Sequence, residues 1–351
     1  MNVRILGKQR IFEWVEGLQG SWRVVGPQAS NGGWGFGEIR SADEIALDYP
    51  TTILPPKKAL LPTRQVLFNY CEGRPEICRD AVPTVLLGVH TCDLHALTLL
   101  DRAYGGDPPD PLYRAQRAET VVVGLECLRP CTDQAFCKSM GTIAPPEGVD
   151  LHLTDLGEAY VVEVGTEQGR ALLEDSISLP TAAEDDLRRL DRVMGEKWAR
   201  FPNRLDFDVS QLPALMLSSR SSEVWTELAA RCLGCGACTL VCPTCTCFDV
   251  RDEMDLSLES GSRVRVWDSC QIASFAVVAG GHNFRADRAG RLRHRFLRKG
   301  RYQKKAFGLP GCVGCGRCAT ACLARITPIE TYNALYRRMG EARPTATEVV
   351  A

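Results

Sequence analysis

The chain has 351 residues, 45% of them hydrophobic, with 42 Lys and Arg against 43 Asp and Glu. That length suits two domains, the apolar share excludes a disordered chain, and the balanced charge exerts no overall pull toward nucleic acid or an anionic membrane. No apolar run reaches membrane-spanning length, and the start, MNVRILGKQRIFEWVEG, lacks the apolar core and cleavage site of a signal peptide, so a cytoplasmic setting is expected.

In chain order, the glycine-rich stretch from Asn31 to Gly37 does not follow the dinucleotide-binding fingerprint and is expected to turn. Residues 84–89 (TVLLGV) and 120–125 (TVVVGL) are continuous runs rich in Val and Leu, expected as strands buried on both faces of a parallel sheet. Between them Leu94, Leu97, Leu100 and Tyr104 share one side of a predicted helix from Asp93, ended by Gly105-Gly106, which completes a βαβ unit. Residues 160–164 (YVVEV) give a further strand. Thr181 and Glu184 have the spacing of a capping box opening a helix to about Arg200, with Leu187, Leu190, Val193, Met194 and Trp198 as its core-facing stripe. Residues 1–215 are therefore expected to form an α/β domain.

A helix over 222–231 leads into Cys232, Cys235, Cys238 and Cys242, and the same C-x2-C-x2-C-x3-C spacing returns at Cys312, Cys315, Cys318 and Cys322. Between the runs, Ser269 to Ala279 is predicted helical, closed by Gly280-Gly281. Thr327-Pro328-Ile329-Glu330 combines an N-cap, a first-turn proline and a capping-box Glu, so a last helix is expected to about Met339. Residues 216–340 then form a mainly helical, ferredoxin-like domain, and 341–351 a flexible tail.

Seventeen cysteines in a reducing compartment argue for metal ligation rather than disulfides. Zinc sites pair two C-x2-C knuckles or mix in histidine, whereas this doubled spacing is that of a two-cluster bacterial ferredoxin. In that pairing each run gives three thiolates to one [4Fe-4S] cluster and its fourth to the other. Cys232, Cys235, Cys238 and Cys322 would hold cluster 1, and Cys312, Cys315, Cys318 and Cys242 cluster 2. The glycines at 234, 236, 314 and 316 would let the backbone approach the clusters. Pro243 follows Cys242 as the pattern expects, while Leu323 stands where a second proline would be.

Cys92 and Cys127 each lie just past a predicted strand, at the carboxyl edge of the sheet where α/β proteins place ligands. With Cys131 and Cys137 they would hold a third [4Fe-4S] cluster; the alternative is four buried apolar cysteines. Cys71, Cys78, Cys245, Cys247 and Cys270 are expected to be structural, although Cys270 falls at a predicted helix start that would favour its thiolate. His90, His95, His152, His282 and His294 suggest no triad or metal pair. Ten Lys or Arg residues between Arg285 and Lys305 fit charge compensation of an anionic cluster, a solvated helix face or an acidic partner better than nucleic acid. Nothing reads as a flavin, nickel, molybdenum or sirohaem site, so no catalytic centre is expected and an electron carrier is.

Several phrases carry a resemblance: ILPPKKALLP (53–62), GVHTCDLHAL (88–97), FCKSMGT (136–142), LTDLGEAYVVEVG (153–165), WDSC (267–270) and AGGHNFR (279–285). They resemble a family of dicluster iron–sulfur subunits that includes the β subunit of sulfhydrogenases, the soluble NAD(P)-linked nickel–iron hydrogenases, and the corresponding iron–sulfur subunit of anaerobic sulfite reductase. The resemblance implies an electron-transfer subunit that links two others, a catalytic one and an NAD(P)H-linked flavin subunit, with the nickel–iron hydrogenase module favoured over the sulfite reductase. It carries over the eight ferredoxin-type cysteines and, less directly, Cys92, Cys127, Cys131 and Cys137. Readings from other classes are a thiol–disulfide reductase using Cys270 or the Cys245/Cys247 pair, and an iron–sulfur regulatory protein working through the basic segment.

Overall fold

A computed structural model of the chain describes residues 3–71, 74–77, 81–256 and 259–341. Cys78 and the tail beyond residue 341 lie outside the described residues. The strands are β1 (Val3–Gly7), β2 (Arg23–Ser30), β3 (Gly33–Glu38), β4 (Arg64–Cys71), β5 (Arg74–Ile77), β6 (Thr84–His90), β7 (Thr120–Leu125), β8 (Leu151–Asp155), β9 (Ala159–Val164), β10 (Phe248–Met254) and β11 (Ser260–Trp267).

Seven strands form one sheet in the order β1-β9-β8-β7-β6-β2-β3. Its middle, β2, β6, β7 and β8, is parallel, and its edges are antiparallel. Every residue of β6 and β7 is buried, which is why both read as unbroken apolar runs. The helix Thr91–Tyr104 joins them and buries Leu94, Leu97 and Leu100. Asn31 and Gly32, both at positive φ, make the two-residue hairpin between β2 and β3. The register pairs His90 with Leu125, so both strands end level and the chain after each starts from one sheet edge.

A second, antiparallel sheet, β10-β11-β4-β5, takes two strands from each side of residue 215. Several helices lie around the cysteine runs. The helices Val224–Arg231, Arg288–Leu297 and Pro328–Glu341 pack Trp225, Phe296, Tyr332 and Leu335 into a second core. The last helix is capped as its sequence predicts, with the Glu330 N–H donating to the Thr327 hydroxyl at 3.1 Å. No helix among the described residues is long and apolar enough to cross a membrane.

Two local expectations fail. The segment 269–279 is not a helix: only Ala273–Ala276 makes a short 3-10 turn. Its polar groups are used elsewhere, Gln271 donating to the Arg291 carbonyl at 2.9 Å and Ser269 accepting from Thr239 at 2.7 Å, and these tie the segment along the first cysteine run as a strap. The helix Glu184–Lys197 does form, but Asp186 caps it through the Ala183 N–H, and Thr181 is taken by Arg4. Its stripe does not face a core either, since Leu187 and Trp198 are exposed and the one buried residue is Lys197.

Candidate iron–sulfur centres

Two small cavities lie in the C-terminal region. Cys232, Cys235, Cys238 and Cys322 line the first, and Cys312, Cys315, Cys318 and Cys242 line the second. Each run therefore sends its fourth cysteine across to the other's cavity. The runs fold alike because each has a glycine on either side of its second cysteine, at φ between 67° and 80° (Gly234 and Gly236; Gly314 and Gly316). Side chains rarely adopt that backbone, and it turns successive sulfurs inward. Backbone N–H groups aim at two of the sulfurs, Gly234 at Cys232 (3.4 Å) and Ile326 at Cys322 (3.3 Å).

The charges decide what the cavities suit. Arg295 lines both, and its buried Nε has no protein hydrogen-bond partner. Burial opposes its charge, and the sulfurs of Cys238, Cys318, Cys242 and Cys245 overcome that opposition. Lys299, buried beside the second cavity, is likewise held charged against burial by Cys242 and Cys245. Burial raises the thiols themselves, Cys315 to about 12 and Cys318 to about 11, so as free thiols they stay protonated. Buried cations facing buried thiols fit an anionic thiolate-bound group, and the four-donor sets fit [4Fe-4S] clusters. The basic segment is thus only partly a solvated face: Arg291, Arg295 and Lys299, four residues apart, point inward.

At the sheet edge the chain after β6 and β7 brings further sulfurs together. Cys92, Cys127 and Cys137 are buried in one group, against which Cys131 and Cys315 pack. Glu126, held by Lys197 Nζ at 2.6 Å and by His152, accepts the Cys127 N–H at 2.8 Å and fixes that residue. His90 Nδ1 lies 3.4 Å from Cys131 Sγ, and the donor atoms of His90, Cys127 and Cys131 fall within 4.8 Å of one another. His90 thus stands in a group of three that could hold a metal ion, a grouping the sequence reading did not bring together. Burial, with Arg317 behind it, lowers His90 to about 3 and keeps its imidazole neutral, as a ligand requires. Its only sequence signal is its place at the end of an all-buried strand. An open cleft lies above the trio, lined also by Tyr49, Arg129 and Arg200.

This thiol loop docks on the second cysteine run. The Phe136 N–H donates to the Gly314 carbonyl at 2.7 Å, and the Thr142 hydroxyl to the Val313 carbonyl at 2.6 Å. A buried bidentate pair, Arg317 to Asp93 at 2.6 Å through both oxygens, locks the second run to the helix after β6. Of the other cysteines, Cys71 is exposed, the Cys245 thiol donates to the Cys242 sulfur, and Cys247 pairs with Cys270. Cys270 is not at a helix start, so no helix dipole acts on it.

Crossed thiol sets around a shared arginine define an iron–sulfur protein of the dicluster class, and residues 231–326 match the 4Fe-4S dicluster domain family. The chain is 37% identical to sulfhydrogenase 2 subunit beta of Pyrococcus furiosus over 322 residues, which is 92% of this chain and 94% of that protein. It belongs to that sulfhydrogenase β-subunit family. No solved structure matches it.

Proposed function

We propose that the protein is the electron-transfer subunit of a multi-subunit oxidoreductase, relaying electrons between a nickel–iron hydrogenase module and an NAD(P)H-linked flavin subunit. Cys232, Cys235, Cys238 and Cys322 hold one [4Fe-4S] cluster, and Cys312, Cys315, Cys318 and Cys242 the other. When bound, such clusters supply one-electron redox chemistry without bond-making. Cys92, Cys127, Cys131 and Cys137, with His90 beside them, supply the ligands of a third cluster, next to Cys315. The observation that carries the reading is the crossed placement of eight cysteines in two cavities that share Arg295 as a wall.

The chain's own residues set the conditions of transfer. Arg295 and Lys299 offset the charge of the thiolates, which favours reduction. Phe296 and Tyr332 give the second cavity an apolar wall, and Leu292 and Ile326 give the first one. Iron and sulfide analysis with EPR on anaerobically prepared protein tests the assignment. About eight irons per chain are expected from two clusters and about twelve with the third; four or fewer in fully loaded protein would overturn it. Anaerobic affinity purification from the source cells should recover a nickel–iron subunit, and recovery of a sirohaem subunit would replace the hydrogenase assignment.

A further inference from the structure

Three thiol-to-thiol contacts occur among the described residues: Cys127 with Cys131, Cys242 with Cys245, and Cys247 with Cys270. The first two each include a residue assigned to a cluster. The third includes none. Its members flank the same open end of the β10–β11 ladder, where Phe248 pairs with Trp267 and the Asp268 N–H donates to the Cys247 carbonyl at 3.1 Å. The Cys247 thiol donates to the Cys270 sulfur, and the Cys270 backbone N–H points at the Cys247 sulfur, so each residue is turned toward the other.

The pair lies beside residues that line the two cavities, Gln271 of the first and Arg295 of both. Cys270 belongs to the strap along the first run, its neighbour Gln271 lines the first cavity, and its charge is felt by Cys238. Arg295 and Lys299, which line the second cavity, both act on Cys270. We infer that Cys247 and Cys270 form a two-electron thiol–disulfide centre exchanging electrons with the adjacent clusters, an inference that rests on the cluster assignment above. The contact with the Cys247 thiol draws Cys270 down to about 6, with Gln271, Arg295 and Lys299 adding to it, so near neutral pH Cys270 is mostly thiolate. In the oxidising direction a Cys247 Sγ–Cys270 Sγ bond forms from the Cys247 thiol and the Cys270 thiolate, the one S–H proton leaves to solvent, and two oxidised clusters accept one electron each. In the reducing direction two reduced clusters give one electron each, the S–S bond breaks, Cys247 takes a proton and Cys270 is left as thiolate. The pair would couple one-electron carriers to two-electron chemistry at a place where neither cysteine need leave the fold.

The test uses anaerobic, cluster-loaded protein poised at a series of potentials, quenched in denaturant with N-ethylmaleimide and read by peptide mass spectrometry. Both cysteines should be alkylated at low potential, and at high potential the two peptides should be found linked. Cys247→Ser should leave Cys270 alkylated at every potential and lower the electrons taken up in a reductive titration by about two per chain. Iron content and EPR on the same samples report the clusters separately, so loss of clusters is told apart from absence of the disulfide. Alkylation of both cysteines at every potential with the clusters intact would overturn the inference. So would linkage to Cys245 instead, or loss of bound metal in Cys247→Ser, which would make Cys247 a ligand.

Discussion

The two cysteine runs have the same spacing and the same pair of positive-φ glycines, yet they sit in opposite surroundings. The first lies near the surface: Cys235 is exposed, and Leu233 and Leu323 at its cavity rim are 63% and 82% exposed. The second lies inside, with Val313, Gly314, Gly316 and Arg317 buried against the N-terminal thiol loop. One local fold thus serves two positions, and what differs is the partner packed against it: a strap at 269–272 for the first run, a whole α/β domain for the second. An exposed first run and a buried second run beside the N-terminal thiols is the order the proposed relay needs.

Substitutions can break that contrast in order of effect. Cys315→Ser should remove about four irons per chain and abolish electron transfer through the protein, measured by iron analysis and dye reduction. Asp93→Asn should cost about 3–5 kcal/mol in denaturant unfolding, because it leaves Arg317 buried without its partner. Its effect should fall on the second run alone, with the first cluster's EPR signal kept in the folded fraction. Arg295→Leu should lower both cluster potentials in a redox titration, by about 2–3 kcal/mol or on the order of 100 mV for one electron if the effective dielectric is near 20. Lys299→Met should lower only the second, and equal shifts at both would mean that the cavities are less separate than drawn.

Glycine replacements compare the surroundings directly. An added Cβ at Gly314 would meet the Cys137 backbone N at 2.6 Å, whereas at Gly236 it would meet the Ser269 side chain at 2.8 Å. Both carry the strain of positive φ, about 1–3 kcal/mol. Gly314→Ala should be the more destabilising, because backbone yields less than a serine side chain, and thermal unfolding of the pair would show the order. Leu233→Ser should change stability by less than about 0.5 kcal/mol, as surface substitutions do, while slowing electron exchange with a purified redox partner.

The cysteine runs and the βαβ core were legible because local spacing carries them: a cysteine every third residue, and unbroken Val and Leu where a strand is buried on both faces. Sequence did not reveal His90 in the third thiol site, since its partners lie 37 and 41 residues away and are met only across the sheet edge. It misread 269–279, where helical spacing lost to hydrogen bonds with the first run. It also read Leu187 and Trp198 as core when that face is left exposed. The inward Arg291, Arg295 and Lys299 recur every four residues within the basic segment, but only the position of the cavities gives that spacing a meaning.

The crossing of Cys242 and Cys322 bears on how the protein is made. Cys322 leaves the ribosome 80 residues after Cys242. In the proposed pairing neither cluster has its full ligand set until the second run is synthesised and folded back on the first. Metal insertion is then a late event shared by both sites, and a chain stopped before Cys312 would carry the whole first run and still complete neither of these two clusters.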